Sequence, residues 1–599
     1  MEELIRKYAI QNKIKFGTAS EKTVLGRVLS EKPELKTHLS ELQETIRKEV
    51  AVVNETPPEE LEKGGVTTQK RTEKRGITLP GNPKKVVMRF APNPNGPPTL
   101  GHARGIVINS ELVKKYDGKL ILRFDDTDPK TKRPLLEAYG WYLDDCRWLG
   151  FNPDEVVECS SRIPEYYKYA EKLIILEKAY VCKCAKDAFK AYRDGGRPCP
   201  DRDKTADENL KDWSKMLSGG YEEGDAVLRI KTELKSPDPA LRDWVAFRIV
   251  KTEHPKVGSK HVVWPMLDFA GAMEDYLLGV THIIRGTDLM DSGRRQNYVY
   301  EYLGWKYPEV MHWGRIRVID KGDAQDEEVE EEGDNADRVI DITQHSNLAA
   351  LELESETHCV TITKLSTSGM ARAIKEGAYT GWDDPRLHTI MALRRRGITP
   401  EAIRNMMLSL GLSEHDISVS METLYAENRK ILDPKVNRYF FVEDPVEVVV
   451  ERPQLKTVRI PLHPSFKERG LREQTLKTDD RGNARIFISR KDAKLLEKEC
   501  TVKLIGLPCI RKTGAEKKFL KASCFAEKDA GAQKIHWVQD YVKAEVVMND
   551  RPADQPKTGY CEPACRSISV GEVVQFERFG FCRLDKKTDE KLTFFFTHD

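Results

Sequence analysis

The sequence is poor in cysteine, in net charge and in long apolar runs, and each shortage excludes a class of protein. Only 12 cysteines occur in 599 residues, which argues against a disulfide-stabilised secreted scaffold and favours a reducing, cytoplasmic setting. No apolar stretch approaches the length of a membrane span, so we expect no membrane association. The amphipathic first residues, MEELIRKYAIQNK, lack the apolar core of a secretory signal. Because the net charge is only +2, a polyanionic partner would have to bind local basic patches.

The length of the chain predicts several domains, and 39% hydrophobic residues are enough for their cores. At about 150 residues per domain, we expect roughly four. Composition and periodicity divide the chain into a helical N-terminal domain over 1–55, a linker over 56–83, a sheet domain over 84–180 and 256–380, an insertion over 181–255, a helical domain over 381–433, and a strand-rich part over 434–599. Within the sheet domain, the acidic run 323–337 is expected to be a surface loop.

The sheet domain begins with a strand, a loop, a helix and a second strand. KKVVMRF and KLILRF are predicted to be buried strands, and helical character extends between them to about Tyr116. This βαβ pattern predicts a parallel sheet with helices on its faces. Ligands of such sheets lie beyond the carboxyl ends of the strands, so the loops after Phe90 and Phe124 are the candidate site.

The first of these loops, APNPNGPPTLGHARG, has the features of a phosphate-binding site. A helix begins near Gly101, and a helix N-terminus offers unpaired N–H groups and the positive end of a dipole. His102 can donate a hydrogen bond to a phosphate that gains charge during a reaction. The alternative is a proline-rich turn with an ordinary, partly buried histidine, and composition alone favours that alternative.

Several motifs occur together in an informative order. They are PPTLGHARG, LRFDDTDP, WPMLDF, GVTHIIRG, KLSTS, GWDDPRL and IHWV. In sequence and order they resemble the class I aminoacyl-tRNA synthetases of the glutamyl and glutaminyl family, and most closely its archaeal glutamyl members. The resemblance covers nearly the whole chain. It implies an α/β fold with a Rossmann-like catalytic domain, an inserted acceptor-end-binding domain, a helical connecting domain and two C-terminal antiparallel β-barrels that bind the anticodon.

The resemblance also implies a reaction. L-Glutamate reacts with ATP, which binds with Mg²⁺, to form glutamyl-adenylate, and the glutamyl group then passes to the 2′-hydroxyl of the terminal adenosine of tRNA(Glu). The archaeal type implies tRNA(Gln) as a second substrate, and we expect a monomer. Two alternatives stay open. A glutaminyl-tRNA synthetase would have a small uncharged residue in place of Arg285, and a non-catalytic tRNA-binding paralogue would not need His102, Asp125, Arg89 and Lys364.

Two segments correspond to the family's ATP-binding motifs. Thr99-Leu100-Gly101-His102 stands where HIGH stands, and Lys364-Leu365-Ser366-Thr367-Ser368 stands where KMSKS stands. Threonine replaces the first histidine of HIGH and the second lysine of KMSKS, so neither position carries a charge. The implied ATP-binding residues are Thr99, Gly101, His102, Lys364, Ser366 and Ser368, and the implied catalytic residues among them are His102, Lys364 and Ser366.

The resemblance implies roles for four further polar residues. Arg89 corresponds to the arginine that meets the substrate side chain, Asp125 to the acid that binds the α-ammonium, and Arg285 to the pocket wall near the γ-carboxylate. Arg438 corresponds to an anticodon contact. An isolated arginine or aspartate is more often an ordinary salt-bridge partner. Leu267 stands where many relatives have a tyrosine, so another group, or water, must complete that wall.

A cysteine cluster lies in the insertion. Cys182 and Cys184 are one residue apart, and Cys199 is followed by Pro200 and Asp201. Two cysteines so close together cannot easily form a disulfide with each other, but both can bind a tetrahedral ion. Related enzymes often have a zinc site here, which implies Cys182, Cys184, Cys199 and Asp201 as Zn²⁺ ligands. A degenerate site and plain buried thiols are the alternatives.

Overall fold

The computed structural model forms two compact units, Met1–Ile77 and Thr78–Asp599. The residues that it describes are 2–16, 19–31, 39–56, 77–81, 83–320, 361–363, 367–453, 457–499, 501–516, 519–525 and 532–599. Most of the predicted linker, the acidic run 323–337, and both Lys364 and Ser366 lie outside these residues. Among the described helices, none is long and apolar enough to cross a membrane. The ten described cysteines are all free thiols.

The first unit contains three helices, α1 (Glu2–Phe16), α2 (Glu21–Glu31) and α3 (Leu39–Glu55). Their apolar faces form one core, which includes Ile5, Ala9, Val24, Val28, Ile46 and Val50. Lys13 is buried within the unit, and its ammonium donates to the backbone oxygens of Val53, Asn54 and Thr56. These carbonyls lack partners within α3, so Lys13 satisfies the end of that helix.

The second unit begins with alternating strands and helices. In chain order they are β1 (Val87–Phe90), α4 (Leu100–Lys115), β2 (Lys119–Phe124), α5 (Leu136–Trp148), β3 (Glu155–Glu158), α6 (Ile163–Ile175), β4 (Ala179–Cys182), α7 (Lys186–Asp194), α8 (Ala206–Leu217), β5 (Val227–Ile230), β6 (Val245–Ile249), β7 (Val263–Pro265), α9 (Leu267–Leu277), β8 (His282–Gly286), α10 (Met290–Leu303), β9 (Glu309–Trp313) and β10 (Ile316–Asp320). The predicted βαβ start is therefore confirmed.

The parallel strands of this part follow a doubly wound order. Strands β1, β2 and β3 pair in parallel, and so do β8 and β9. Thr281 N donates to Val87 O across 2.9 Å, which brings β8 alongside β1. The spatial order is thus β3-β2-β1-β8-β9, and the winding reverses between β1 and β8. In such sheets the ligand crevice lies at this reversal.

The chain between β3 and α9 folds as a further layer of the second unit, and residues of α9 and α10 contribute to its core. Strands β4, β5, β6 and β7 form an antiparallel sheet. This sheet packs on α6 and α8 around a core that includes Trp213, Phe247 and Trp264. The predicted insertion over 181–255 falls within this layer.

A helical region follows the sheet. Its elements are β11 (Thr361–Thr363), α11 (Thr367–Lys375), α12 (Ile390–Arg396), α13 (Pro400–Leu410), β12 (Ile417–Ser420) and α14 (Met421–Leu432). Thr389 and Thr399 begin α12 and α13, because each hydroxyl accepts from a backbone N–H in the first turn. Gly397 ends α12 at φ 100°, where a residue with a Cβ would be strained.

The C-terminal part is rich in strands. It comprises β13 (Arg438–Tyr439), β14 (Phe441–Glu443), β15 (Pro445–Glu451), β16 (Thr457–Pro461), β17 (Leu471–Thr475), β18 (Ala484–Ser489), α15 (Arg490–Glu499), β19 (Thr501–Leu504), β20 (Cys509–Ala515), β21 (Phe519–Phe525), β22 (Lys534–Ile535), β23 (Val542–Val547), β24 (Lys557–Cys561), β25 (Val573–Phe576), β26 (Gly580–Lys587) and β27 (Lys591–His598).

Thirteen of these fifteen strands form two large barrel-like sheets, each around its own core, and β16 pairs with β17 in a separate two-stranded sheet. Their orders are β18-β15-β21-β20-β19-β22 and β13-β25-β26-β27-β23-β24-β14. The prediction that both are antiparallel is wrong, because β15 pairs in parallel with β21, and β23 pairs in parallel with β27. Both pairs join strands that are distant in sequence, and long connections allow neighbouring strands to run in the same direction.

Candidate active site

A cleft of about 450 Å³ opens at the carboxyl ends of β1, β2 and β8. This is the edge at which the strand order reverses, where doubly wound sheets bind their ligands. The residues that line it include Arg89, Arg123, Asp125, Leu267, Arg285, Gln296 and Trp313. The three predicted substrate-binding residues, Arg89, Asp125 and Arg285, therefore share one cavity.

A buried carboxylate organises the floor of the cleft. Asp275, on α9, accepts at Oδ1 from Arg89 Nε at 3.0 Å and from Arg123 Nη1 at 2.7 Å. Arg123 Nε also donates to Asp125 Oδ1 at 2.7 Å. Burial raises the pKa of Asp275, but Arg89 and Arg123 outweigh this effect and hold the pKa below its ordinary value. Asp275 is therefore ionised at neutral pH.

Arg285 lies at the end of β8 within a second hydrogen-bonded group. Its Nη1 donates to Gln296 Oε1 at 3.0 Å, and its Nη2 donates to Tyr307 OH at 2.5 Å. Only 5% of Arg285 is exposed. The arginines 89, 123 and 285 bring three positive charges, while Asp125 and Asp275 bring two negative ones, so the floor retains a net charge of +1. Such a surface favours an anionic ligand.

The loops after β1 and β2 are joined by backbone and amide contacts. Asp125 N donates to Pro92 O at 2.9 Å, and Asn93 Nδ2 donates to Asp125 O at 3.0 Å. The next residue, Asp126, is fully buried and accepts from Tyr139 OH at 2.6 Å and from Ser160 Oγ at 2.7 Å. The buried hydrogen bonds of Asp126 thus fix the position of this loop, and the neighbouring Asp125 carboxylate lines the cleft.

His102 lies in the first turn of α4 as a neutral hydrogen-bond donor. Thr99 N donates to His102 Nδ1 at 3.1 Å, so the ring proton is on Nε2. Burial lowers the pKa of His102 to about 4. The Thr99 hydroxyl lies 3.0 Å from the same Nδ1, and Thr99 is only 1% exposed. Thr99 therefore orients His102, while Gly101 is partly exposed beside it.

The described end of the KLSTS segment lies next to this loop. Ser368 is exposed on α11, whereas Lys364 and Ser366 lie outside the described residues. A side chain at Gly96 would collide with the Thr367 methyl group and would come within 3.2 Å of the Trp382 ring. The glycine thus lets α11 approach the proline-rich loop, and Thr367, the first described residue of the second predicted ATP motif, lies beside the loop that carries the first motif.

Backbone hydrogen bonds attach the same loop to residues just after the GWDDPRL segment. Leu100 N donates to His388 O, and Ile390 N donates to Pro98 O, both at 2.9 Å. Arg104 is buried in α4 and donates to Gly314 O at 2.9 Å and to Gly411 O at 2.8 Å. The start of α4 is therefore held by the helical region that follows the sheet.

The three predicted cysteine ligands meet in the insertion. The sulfurs of Cys182, Cys184 and Cys199 all lie within 4.8 Å of one another, and Cys182 and Cys199 are 3.9 Å apart. Tetrahedral zinc with Zn–S bonds of about 2.3 Å separates its sulfurs by about 3.8 Å. The thiol hydrogen bond from Cys182 lowers the pKa of Cys199 to about 6. Three of four ligand positions therefore fit zinc.

The predicted fourth ligand has other partners. Asp201 Oδ2 lies 3.6 Å from Cys184 Sγ, but it also accepts from Lys183 N at 2.7 Å. Lys204 Nζ is 2.6 Å from Asp201 Oδ1. The Asp201 carboxylate therefore lies beside the sulfurs, but both of its oxygens already have partners in Lys183 N and Lys204 Nζ.

Arg438, the predicted anticodon contact, lies on β13 at the edge of the seven-stranded sheet. Its Nη2 donates to Asp433 Oδ1 at 2.9 Å, and it pairs with Gln575 of β25 in the sheet register. It lies far along the chain from the cleft residues, and it does not line that cavity.

Sequence reasoning missed four residues of the cleft and its support: Arg123, Asp275, Gln296 and Tyr307. The only local signal was a charge inside a predicted buried strand, at Arg123. The other three lie in segments whose pattern resembles that of any amphipathic helix or surface turn.

Comparison with known proteins identifies the family of this chain. The sequence matches the family described as tRNA synthetases class I (E and Q), catalytic domain, over residues 85–322 and 334–434. It matches the two anti-codon binding domains of that family over residues 436–524 and 534–585. A solved glutamate tRNA ligase from Elizabethkingia meningosepticum aligns at 18% identity with a TM-score of 0.36, over 59% of this chain and 70% of that one.

Curated relatives match along the whole chain. A glutamate–tRNA ligase of Archaeoglobus fulgidus is 45% identical over 100% of both chains. That of Methanosarcina acetivorans is 45% identical over 99% of this chain and 98% of its own, and that of Pyrococcus furiosus is 42% identical over 100% of both. The chain belongs to the glutamate and glutamine (E and Q) family of class I tRNA synthetases.

Proposed function

We propose that this protein is a glutamate–tRNA ligase. It activates L-glutamate with ATP and transfers the glutamyl group to the terminal adenosine of tRNA(Glu). The observation that carries the proposal is the cleft at the strand reversal, whose floor holds the buried guanidinium groups of Arg89 and Arg285. A carboxylate can accept charge-assisted hydrogen bonds from both. A glutamine amide would turn its own N–H donors toward them.

The substrate is held by opposite charges at its two ends. The side-chain carboxylate faces Arg89 and Arg285, and the α-ammonium faces Asp125. Arg123 donates to Asp125, but each carboxylate oxygen has two lone pairs, so acceptor capacity remains for an ammonium. The α-carboxylate is then left to point toward the loop that carries His102.

ATP binds with Mg²⁺ at the start of α4. Gly101 permits close approach of the phosphates, and His102 Nε2–H donates to them, with Thr99 behind it. Lys364, Ser366 and Ser368 join from the second motif. In the first step an oxygen of the substrate α-carboxylate bonds to the α-phosphorus, the bond from that phosphorus to the bridging oxygen breaks, and pyrophosphate leaves. His102 stabilises the charge that develops, and no protein nucleophile is required.

The other domains bind tRNA. The insertion over 181–255 receives the acceptor end, the helical domain over 381–433 connects it to the rest, and residues 434–599, with Arg438, read the anticodon. In the second step the 2′-hydroxyl of the terminal adenosine attacks the adenylate carbonyl, and AMP leaves. The enzyme acts as a monomer in the cytoplasm, and it also charges tRNA(Gln).

A Zn²⁺ ion is part of the proposal for the insertion. The sulfurs of Cys182, Cys184 and Cys199 would hold it, and Asp201 would complete the set. The ion would link β4 to the loop that precedes α8, and its chemistry there is structural.

Aminoacylation of purified tRNA(Glu) and tRNA(Gln) with each amino acid tests the proposal. We expect glutamate on both tRNAs and no glutamine on either. Transfer of glutamine instead would establish the glutaminyl alternative. Failure to exchange labelled pyrophosphate into ATP, with glutamate and tRNA present, would establish a non-catalytic tRNA-binding protein.

A further inference from the structure

On one wall of the cleft, the lining residues contributed by α9 carry no polar side chain. Leu267 begins α9 and is 43% exposed, and Gly271 follows one turn later. Both residues line the cleft, and neither can form a side-chain hydrogen bond with an anion. Another element must therefore supply the polar contact on this side.

Gln296, on the neighbouring helix α10, occupies the space above Gly271. A Cβ at position 271 would lie 2.9 Å from Gln296 Nε2. Gln296 lines the cleft, and only 4% of the residue is exposed. Gly271 therefore leaves room for the Gln296 amide. This amide supplies the polar group that the lining residues of α9 lack.

The orientation of the Gln296 amide follows from its partners. Its Oε1 accepts from Arg285 Nη1 at 3.0 Å and from Tyr307 OH at 2.7 Å. Tyr307 can donate to this oxygen because its own oxygen accepts from Arg285 Nη2. With two donors on one side, the carbonyl must face them and the NH₂ group must face the other way. Among the described residues, no side chain or backbone oxygen accepts from Nε2.

We propose that Gln296 is a specificity-determining residue for the amino acid, and that its Nε2–H donates to the side-chain carboxylate of glutamate. The proposal rests on the glutamate-binding role proposed above. Arg285 and the Gln296 NH₂ group offer only donors, so the wall requires acceptors from the substrate. A carboxylate supplies two acceptor oxygens, whereas a glutamine amide supplies one and leaves donors facing donors.

The first test is Gln296→Glu, with Asn297→Asp as the matched control. Both replace an amide by a carboxylate on α10, but Asn297 is exposed. A glutamate at 296 would pair with Arg285 and repel the substrate carboxylate. We expect KM for glutamate to rise about 10- to 100-fold, with KM for ATP unchanged and the preference for glutamate over glutamine reduced. Asn297→Asp should match the wild-type enzyme in KM for glutamate, in KM for ATP and in the preference for glutamate over glutamine.

The second test is Gly271→Ala, with Gly140→Ala as its control. The added methyl group at 271 pushes on Gln296 Nε2 without changing any charge, while a Cβ at 140 meets nothing within 4 Å. We expect Gly271→Ala to raise KM for glutamate more than kcat changes, and Gly140→Ala to leave both unchanged. If the melting curve shows that Gln296→Glu does not fold, the KM of Gly271→Ala alone tests the role of Gln296.

The outcomes separate this inference from the proposed function. If the wild-type enzyme does not charge tRNA with glutamate, the proposed function fails. If it does, and folded Gln296→Glu or Gly271→Ala keeps the wild-type KM and amino-acid preference, the role of Gln296 is overturned.

Discussion

The guanidinium of Arg123 donates to Asp275 Oδ1 across 2.7 Å, and the two side chains are only 2% and 1% exposed. The same oxygen accepts from Arg89, so one carboxylate positions two arginines at the floor of the cleft. Arg123 lies in the LRFDDTDP motif but was given no role there, and Asp275 lies outside the motifs that suggested the function. The charge that faces the substrate therefore depends on an acid beneath it.

Asp275→Asn should strongly destabilise the protein. The change leaves the buried Arg89 guanidinium without its counter-charge and leaves Arg123 with Asp125 alone, and breaking a buried pair in this way costs about 3–5 kcal/mol. The midpoint of urea unfolding should fall accordingly. Asp144→Asn is the control, because Asp144 is 71% exposed and its ion pair with Arg147 spans 4.0 Å. If the midpoint of urea unfolding falls equally in the two variants, the buried pair contributes no more to stability than the exposed one.

His102→Ala should slow adenylate formation about 10²- to 10³-fold, since it removes one donor that acts as charge develops on phosphate. Binding of tRNA should not change. Because the pKa of His102 is about 4, its donor should persist at all pH values from 6 to 8. Pyrophosphate exchange measures the effect, with exposed His415→Ala as the control. Near-normal exchange by His102→Ala would remove this residue from the mechanism.

Arg285→Cys should lower kcat/KM for glutamate, and it should reduce the ratio of kcat/KM for glutamate to kcat/KM for glutamine. Loss of a buried charged partner costs about 2–5 kcal/mol in binding, and here it also removes the donor to Tyr307 OH and one of the two donors to Gln296 Oε1. Good glutamine activity need not appear, because Leu267 supplies no polar group to orient an amide.

The measurement is kcat/KM for both amino acids at saturating tRNA. Arg294→Cys is the control, since Arg294 is an exposed arginine on α10. Unchanged glutamate efficiency in Arg285→Cys would place this arginine outside the pocket.

Metal analysis of the purified protein should find up to one zinc per chain. Replacing Cys182, Cys184 and Cys199 by serine should release the ion and lower the melting temperature, because metal binding is coupled to folding. Cys146→Ser serves as a control for loss of a buried thiol. A metal-free protein of normal stability would establish that the three thiols are merely buried.

Acid should destabilise the contact between the helical region and the last strand. Asn428 Nδ2 lies 3.0 Å from His598 Nε2, which must stay unprotonated to accept the hydrogen bond. Burial lowers the pKa of His598 from 6.5 to about 4. The unfolded state therefore binds more protons between these values, so the stabilisation is complete above pH 6.5 and is lost as the pH falls toward 4.

This loss amounts to about 2 kcal/mol between pH 7 and pH 5. His598→Gln, which cannot titrate, should lose less stability over that interval than the wild-type protein. Urea unfolding at both pH values checks the difference. Parallel losses in the two proteins would assign the acid sensitivity to other groups.

The sequence alone determined the family, the class of reaction and the first two strands of the sheet. These inferences succeeded because they depend on local patterns. A buried strand followed by a glycine- and proline-rich loop predicts a ligand site wherever parallel strands end together. Arg89 and Asp125 lie at such ends, so their presence in one cleft followed from the βαβ pattern and from the motifs around them.

Only the tertiary structure decided how the cleft is charged and which strands run in parallel in the C-terminal sheets. Arg123 meets Asp275 across 152 positions of sequence, and β15 meets β21 across a long connection. Gln296 enters the site because Gly271, on another helix, has no side chain. Contacts of this kind leave no periodic trace in the chain, since they arise from packing between elements and not from the order of residues within one.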